Sequence, residues 1–312
     1  MYKKRKNDIV LQFRLSLNKM NEFVISLRET LEASLIIGIV ITFLNKQNLH
    51  HLKKYAWQGL LAAIVASLLV AVFFVLIQSN IHHEAYEKLF EALMMYLAAG
   101  FLSYMVIWMA KNTHIKQNLE ENIQQNASQK AIFALVFFAV IREGFETVLF
   151  LFASFQTTKS FSYLGFLAGI ALAALIGYQI FVLGKRVNIK SFFHVTSILL
   201  IFMAAGMIAY GCHEMEEFLV KMNWLDEESI SRPYDILKPV KELPESAWLY
   251  TQKGEKFYHW FHDKGMVGEF LKAFFGYNSN PNWIELILWF LGLFGIFYLW
   301  REAVRSIRVK LG

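Results

Sequence analysis

Arg28, Glu29 and Glu32 stand in "SLRETLEASLIIGIV", and Arg142, Glu143 and Glu146 stand in "AVIREGFETVLFLFA". Each stretch sets an arginine, a glutamate and, three residues on, a second glutamate inside an apolar run, and the copies lie 114 residues apart. On a helix, residues three and four apart share a face, so both carboxylates of a copy point the same way and the arginine reaches the second one. An ionised side chain at the centre of a bilayer costs from about 2.5 to more than 10 kcal/mol, so such residues must face a wet or protein-lined cavity. Four carboxylates and two guanidiniums carry a net charge of −2 when ionised, and the group is incomplete without cations. Protons could complete it. A hard metal ion could too, since carboxylate oxygen suits hard cations. A simple clasp between two helices needs one Arg–Glu pair per helix and leaves the second glutamate of each copy surplus.

A second set of metal-ligand types gathers elsewhere. In "HHEAYEKLFE", His83, Glu87 and Glu91 follow at intervals of four and form one helical stripe. In "GCHEMEEF", His213 and Glu217 are four apart, with Glu214 and Glu216 beside them. Imidazole and carboxylate both bind metals. The bland reading of His82, His83 and Glu84 is a solvated helix end. The single cysteine, Cys212, excludes an intramolecular disulfide framework and any multi-cysteine metal site.

These residues need elements to hold them. The chain has 312 residues, of which 56% are hydrophobic. About seven apolar runs approach the 20 residues needed to span a bilayer. They cover 22–44, 57–78, 89–110, 131–155, 161–184, 193–211 and 283–300. Lipid requires every backbone polar group to be satisfied internally, so these runs are helices. The expected fold class is all-α, a polytopic membrane protein with about seven transmembrane helices: two inverted three-helix repeats plus a final helix.

The formal charge of +6 does not point to nucleic acid, because the basic residues sit mainly in short loops. Their distribution sets topology: loops after the first, third and fifth runs and the C-terminal tail are the basic ones. This places the C-terminus in the cytoplasm and the N-terminus outside, in a cell membrane. The basic segment before Met20 opposes that orientation, and two readings of it are open. One is a dispensable stretch ahead of a start at Met20; the other is an amphipathic surface helix.

The expected organisation is an N-terminal extension over 1–21, a first three-helix repeat over 22–110, a cytoplasmic loop over 111–130 and a second repeat over 131–217. An extracytoplasmic loop over 218–282 follows, then the seventh helix and cytoplasmic tail over 283–312. All four prolines fall between residues 233 and 281, where short surface helices are expected. Inverted repeats bring their sites together near the midplane. Glu29 and Glu32 come about 10–15 Å in from the outer end of their span, and Glu143 and Glu146 about 18–22 Å in from the inner end of theirs. Gly165 and Gly169 form a GxxxG suited to close helix packing.

At this point the residues resemble the high-affinity iron permease family, which includes fungal permeases and bacterial elemental ferrous iron uptake permeases. "LRETLEASLI" and "REGFETVLFL" carry the two R-E-x-x-E motifs, and the likeness runs from Met20 onward. "FEALMMYLAAGFLSYMVIWM", "GCHEMEEF" and "FLKAFFGYNSNPNWIEL" are similar to three further family segments. Thr30 stands where the family has glycine, Glu216 where it has glutamine, and Phe218–Leu219 where it has Ala-Gly.

The resemblance implies an iron permease, with iron as transported substrate and no permanently bound cofactor. The metal ligands expected from residue type and spacing are Glu29, Glu32, Glu143, Glu146, Glu87, Glu91, His213, Glu214 and Glu217, with Arg28 and Arg142 compensating charge, and the resemblance adds that Glu91 stands at a family acidic position. It also implies an extracytoplasmic oxidase or iron-delivery protein that supplies ferric iron. Lipid is the surrounding partner, and a homo-oligomer stays open. A permease for lead or another divalent ion is the alternative. An intramembrane metalloprotease would need HExxH, and His213-Glu214 is followed by Met-Glu-Glu.

Overall fold

A computed structural model describes residues 20–111, 128–158, 161–184, 189–226, 230–234, 239–240, 249–253, 256–263 and 265–311. The stretch before residue 20 and the polar loop at 112–127 lie outside the described residues. Eight α-helices are described: α1 (Met20–Lys46), α2 (Lys53–Ser79), α3 (Glu84–Lys111), α4 (Gln129–Thr158), α5 (Tyr163–Phe181), α6 (Ile189–Lys221), α7 (Met266–Phe275) and α8 (Trp283–Leu311). A 3-10 turn, His50–Leu52, joins α1 to α2.

The long helices follow from apolar runs without proline. Their ends carry local signals. The Ser162 hydroxyl caps α5 by accepting from the Gly165 N–H at 3.1 Å. Lys46, Lys111 and Lys221 sit in the last turns of α1, α3 and α6, where cations complement the helix dipole. Helix α7 ends at Gly276, in the left-handed region with φ 65°. There the chain meets Gly206 of α6 so closely that a Cβ on either glycine would strike the other's backbone.

Among the described residues, α2 with its preceding turn, α3, α5, α6 and α8 are long and apolar enough to cross a membrane. Their outward residues are greasy. Leu61, Leu68, Leu69 and Phe73 of α2, Leu164 and Leu167 of α5, and Leu291 and Phe294 of α8 are all exposed. So large an apolar surface belongs against lipid. Helices α1 and α4, with 27 and 30 residues, are as long, and each carries one Arg-Glu motif.

Helix α1 packs against α5 and α4, while α4 packs against α2; α3 lies along α6, and both touch α8. A Cβ on Gly169 of α5 would fall 2.6 Å from the Phe23 carbonyl oxygen, so only glycine permits this approach to α1. The largest core cluster draws on α3, α4, α6 and α8, with Met94, Leu102, Phe150, Leu200 and Ala204 among its members. A second cluster joins the C-terminal half of α1 to α2 and the start of α4 through Val40, Leu44, Ala63 and Val136.

Between α6 and α8 the outcome differs in detail from the sequence expectation. Helix α6 runs on to Lys221, past the boundary placed at 217. Helix α7 is a short helix of the expected kind. An antiparallel hairpin was not expected: β1 (Tyr250–Lys253) pairs with β2 (Lys256–His259), Tyr250 opposite His259. Four residues per strand are too few to show a clear period of two.

Candidate metal site

The two motifs meet across the α1–α4 contact. Glu29, Glu32, Glu143 and Glu146 are all buried. One carboxylate oxygen from each of Glu29, Glu143 and Glu146 lies within 4.8 Å of the others. Glu32 is close enough to Glu143 and Arg142 for their charges to interact. Glu29, Glu143 and Glu146 each keep one buried oxygen with no hydrogen-bond partner among the described residues. A buried acceptor left in that state costs about 1–3 kcal/mol. Convergent, unsatisfied oxygens from two helices are what a hard cation takes up.

The arginines are held differently. Arg28 lies 2.7 Å from Glu29 Oε1 and 3.0 Å from Glu32 Oε1, and its Nη2 donates to Met109 Sδ at 3.0 Å. Arg142 Nε pairs with Glu146 Oε1 at 3.1 Å, while its Nη2 contacts Met105 Sδ. The Arg142 guanidinium also sits 4.4 Å from the centroid of the Trp108 ring, a cation–π position. Met105, Trp108 and Met109 share one face of α3, so a third helix backs both motifs. Sequence reasoning did not assign them a role, although their spacing of three and four was there to read.

The second set forms a cluster between α3 and α6. Lys88 Nζ lies 2.7 Å from Glu214 Oε2, 2.8 Å from Glu217 Oε2 and 3.6 Å from Glu91 Oε2. His213 bridges Glu217 Oε1 at 3.3 Å and Glu285 Oε1 of α8 at 3.0 Å. Asn278 donates to the other Glu285 oxygen at 2.8 Å, and Asn282 contacts Glu216. Of the sequence-derived set, Glu91, His213, Glu214 and Glu217 come together, whereas Glu87 is half-buried and joins none of these pairs. His82 and His83 are exposed.

Lys88 and Glu285 were missed. Lys88 reads as one more charge at a helix start, and Glu285 lies 72 residues from His213. Glu22, in the first turn of α1, was also missed: it is buried and one of its oxygens has no hydrogen-bond partner among the described residues.

On the same side as this cluster, Asp263 anchors the chain between the hairpin and α8. Its Oδ1 accepts from Ser279 at 3.1 Å and lies 2.6 Å from His262 Nδ1. Burial pushes the Asp263 carboxyl up, but His262, Lys272 and Ser279 together hold it below the usual carboxylate range. Lys272 of α7 in turn donates to the Tyr210 hydroxyl of α6 at 2.9 Å.

A multi-pass helical membrane protein with buried carboxylates converging from two of its helices is the class that fold and site define. The chain belongs to the iron permease FTR1 family, whose profile it matches over residues 19–308. It is therefore a membrane protein of an iron-transporting family. An uncharacterized protein of Archaeoglobus fulgidus is 33% identical over 277 residues, covering 87% of this chain and 91% of the relative. A ferrous iron permease, EfeU, of Shigella sonnei is 30% identical over 278 residues, with the same coverage. The EfeU of Yersinia pestis is 28% identical over 291 residues, 91% of this chain and 94% of its own. No solved structure matches the chain.

Proposed function

We propose that this chain imports iron across the cytoplasmic membrane, and that the ion passes between α1 and α4 on Glu29, Glu32, Glu143 and Glu146. The observation that carries the reading is the convergence of Glu29, Glu143 and Glu146 oxygens within 4.8 Å, at full burial and from both motifs. Arg28 and Arg142 offset part of the negative charge, so that the site holds a cation without trapping it. Glu91, His213, Glu214 and Glu217 serve as an outer relay.

Ferric iron, made by a partner oxidase outside, is the form we assign. A site of carboxylate oxygen alone favours the harder ion. A second reading, in which ferrous iron itself crosses, is favoured by the name of the EfeU relatives, ferrous iron permease.

The architecture we assign is seven spans in two inverted repeats, α1–α3 and α4–α6, followed by α8. Its support is the packing pattern: exchanging first for second repeat turns the α1–α5 contact into the α4–α2 contact and leaves the α1–α4 and α3–α6 pairs unchanged. The basic loops then put the N-terminus outside and the C-terminus in the cytoplasm.

The test is radioactive iron uptake by an iron-starved host without importers of its own, supplied with ferrous or ferric iron. Uptake above background is expected, and Glu146→Ala at equal membrane abundance is expected to return it to background. Near-normal uptake by that variant overturns the carboxylate site. A ferrous preference that persists without any oxidase overturns the ferric assignment.

A further inference from the structure

The outer cluster already contains a cation. Lys88 Nζ sits among three carboxylate oxygens, one each from Glu214, Glu217 and Glu91, at 2.7, 2.8 and 3.6 Å. Glu91 and Glu214 are buried and belong to different helices, whereas the Glu217 side chain keeps 40% of its exposure. The cluster thus has two sealed carboxylates, one open one and an ammonium in the middle. We propose that Lys88 is a tethered cation that fills the outer carboxylate cluster at rest and is displaced by the arriving metal ion. The proposal rests on the reading of this cluster as the first stop on the iron path.

Three features favour displacement over a permanent clasp. The first is side-chain chemistry. Arg28 is buried to 1% exposure and gripped by Glu29, Glu32 and Met109, so it cannot leave its site. Lysine is a point charge on a flexible four-carbon stem, with no fixed fork to break.

The second is geometry. A hard cation binds carboxylate oxygen at about 2.0–2.6 Å, so an ion at the Lys88 Nζ position draws in the Glu214 and Glu217 oxygens slightly and the Glu91 oxygen, now at 3.6 Å, by about 1 Å or more. An ion of charge +2 or +3 also gains more from the same oxygens than an ammonium does.

The third is a place for the lysine to go. Glu84 lies one turn earlier on α3, its side chain is 81% exposed, and its ion pair among the described residues is with Lys221 at 2.8 Å. A glutamate four residues ahead of a lysine is a favourable helix pair.

Lys88 therefore keeps the outer carboxylates neutralised until metal arrives, and sets how much metal is needed to open the site. Weakly bound monovalent ions and protons would not dislodge it; a multivalent ion would.

Equilibrium dialysis of the full-length protein in detergent, with anaerobic ferrous iron as the probe, tests this. Lys88→Gln is expected to lower the half-saturating iron concentration of the outer site by about tenfold or more, the factor that loss of one charge-assisted contact represents. Lys88→Arg, which keeps the charge, is expected to bind no more tightly than the wild type. Glu214→Gln added to Lys88→Gln is expected to reverse the gain. Unchanged or weaker binding by Lys88→Gln in protein that elutes as a folded species overturns the proposal and marks Lys88 as a helix clasp. The same dialysis on Glu146→Gln separates the two readings. If Glu146→Gln loses a bound ion while Lys88→Gln gains nothing, the central site stands and the displaceable lysine falls. If Glu146→Gln binds and transports normally, the central site falls and the Lys88 effect is still read at the outer cluster.

Discussion

The motif of α1 and the motif of α4 have the same residues at the same spacing and live in different surroundings. Arg28 is buried to 1% exposure and reaches both glutamates of its own helix. The Arg142 side chain keeps 36% of its exposure, makes its close ion pair among the described residues with Glu146, and rests on Trp108. The α1 copy is closed on itself, and the α4 copy is half open. The sequence carries two equal sets of charges, and the neighbouring helices make them unequal. One consequence is that Glu143 makes no close ion pair with an arginine among the described residues, although Glu29, its counterpart, lies 2.7 Å from one. A buried carboxylate without that partner is the more available ligand.

The comparison can be broken most severely at the glutamates that both copies contribute. Glu32→Ala and Glu146→Ala are each expected to reduce iron uptake to background at normal membrane abundance. Uptake assays paired with surface quantification measure this, and one silent variant would show that a single motif suffices.

A smaller and unequal effect is expected at the arginines. Arg28→Ala leaves two carboxylates without their buried partner, a change of the kind that costs about 3–5 kcal/mol. Arg142→Ala, at a half-open position, is expected to lose less folded protein while still impairing transport. Thermal unfolding in detergent compares the two, and equal losses would erase the distinction between a closed and an open copy.

The glutamates next to the arginines sharpen it further. Glu143→Gln is expected to weaken metal binding with little change in unfolding temperature, because its carboxylate is not part of an Arg pair. Glu29→Gln is expected to weaken both, since it also removes a 2.7 Å contact to Arg28. The smallest effect is expected at the outer cluster. Substituting Glu91, His213 or Glu217 should raise the half-saturating iron concentration more than it lowers the maximal rate, which uptake kinetics over a range of concentrations will show.

Much of this was legible in the sequence. Hydrophobic run lengths located the long helices, because a bilayer demands internal backbone pairing over a fixed thickness. Charges placed within those runs named the four central glutamates, because ionised groups are tolerated there only for a reason. Spacings of three and four gave the pairing of Arg28 with Glu32 and of Arg142 with Glu146, since these are properties of a single helix.

Contacts between helices were not available from spacing. That Glu29 should meet Glu143 and Glu146, that α3 should back both arginines with Met105 and Met109, and that Glu285 of α8 should hold His213 depend on which helix lies beside which. Packing of side chains, small residues such as Gly169 and Gly206 included, decides that. The tertiary structure also changed the meaning of Lys88: in the chain it is one charge among many at a helix start, and in the bundle it is the cation between three carboxylates of α3 and α6. A sequence records which charges a helix carries along its length, whereas which charges answer them across an interface exists only once the helices have packed.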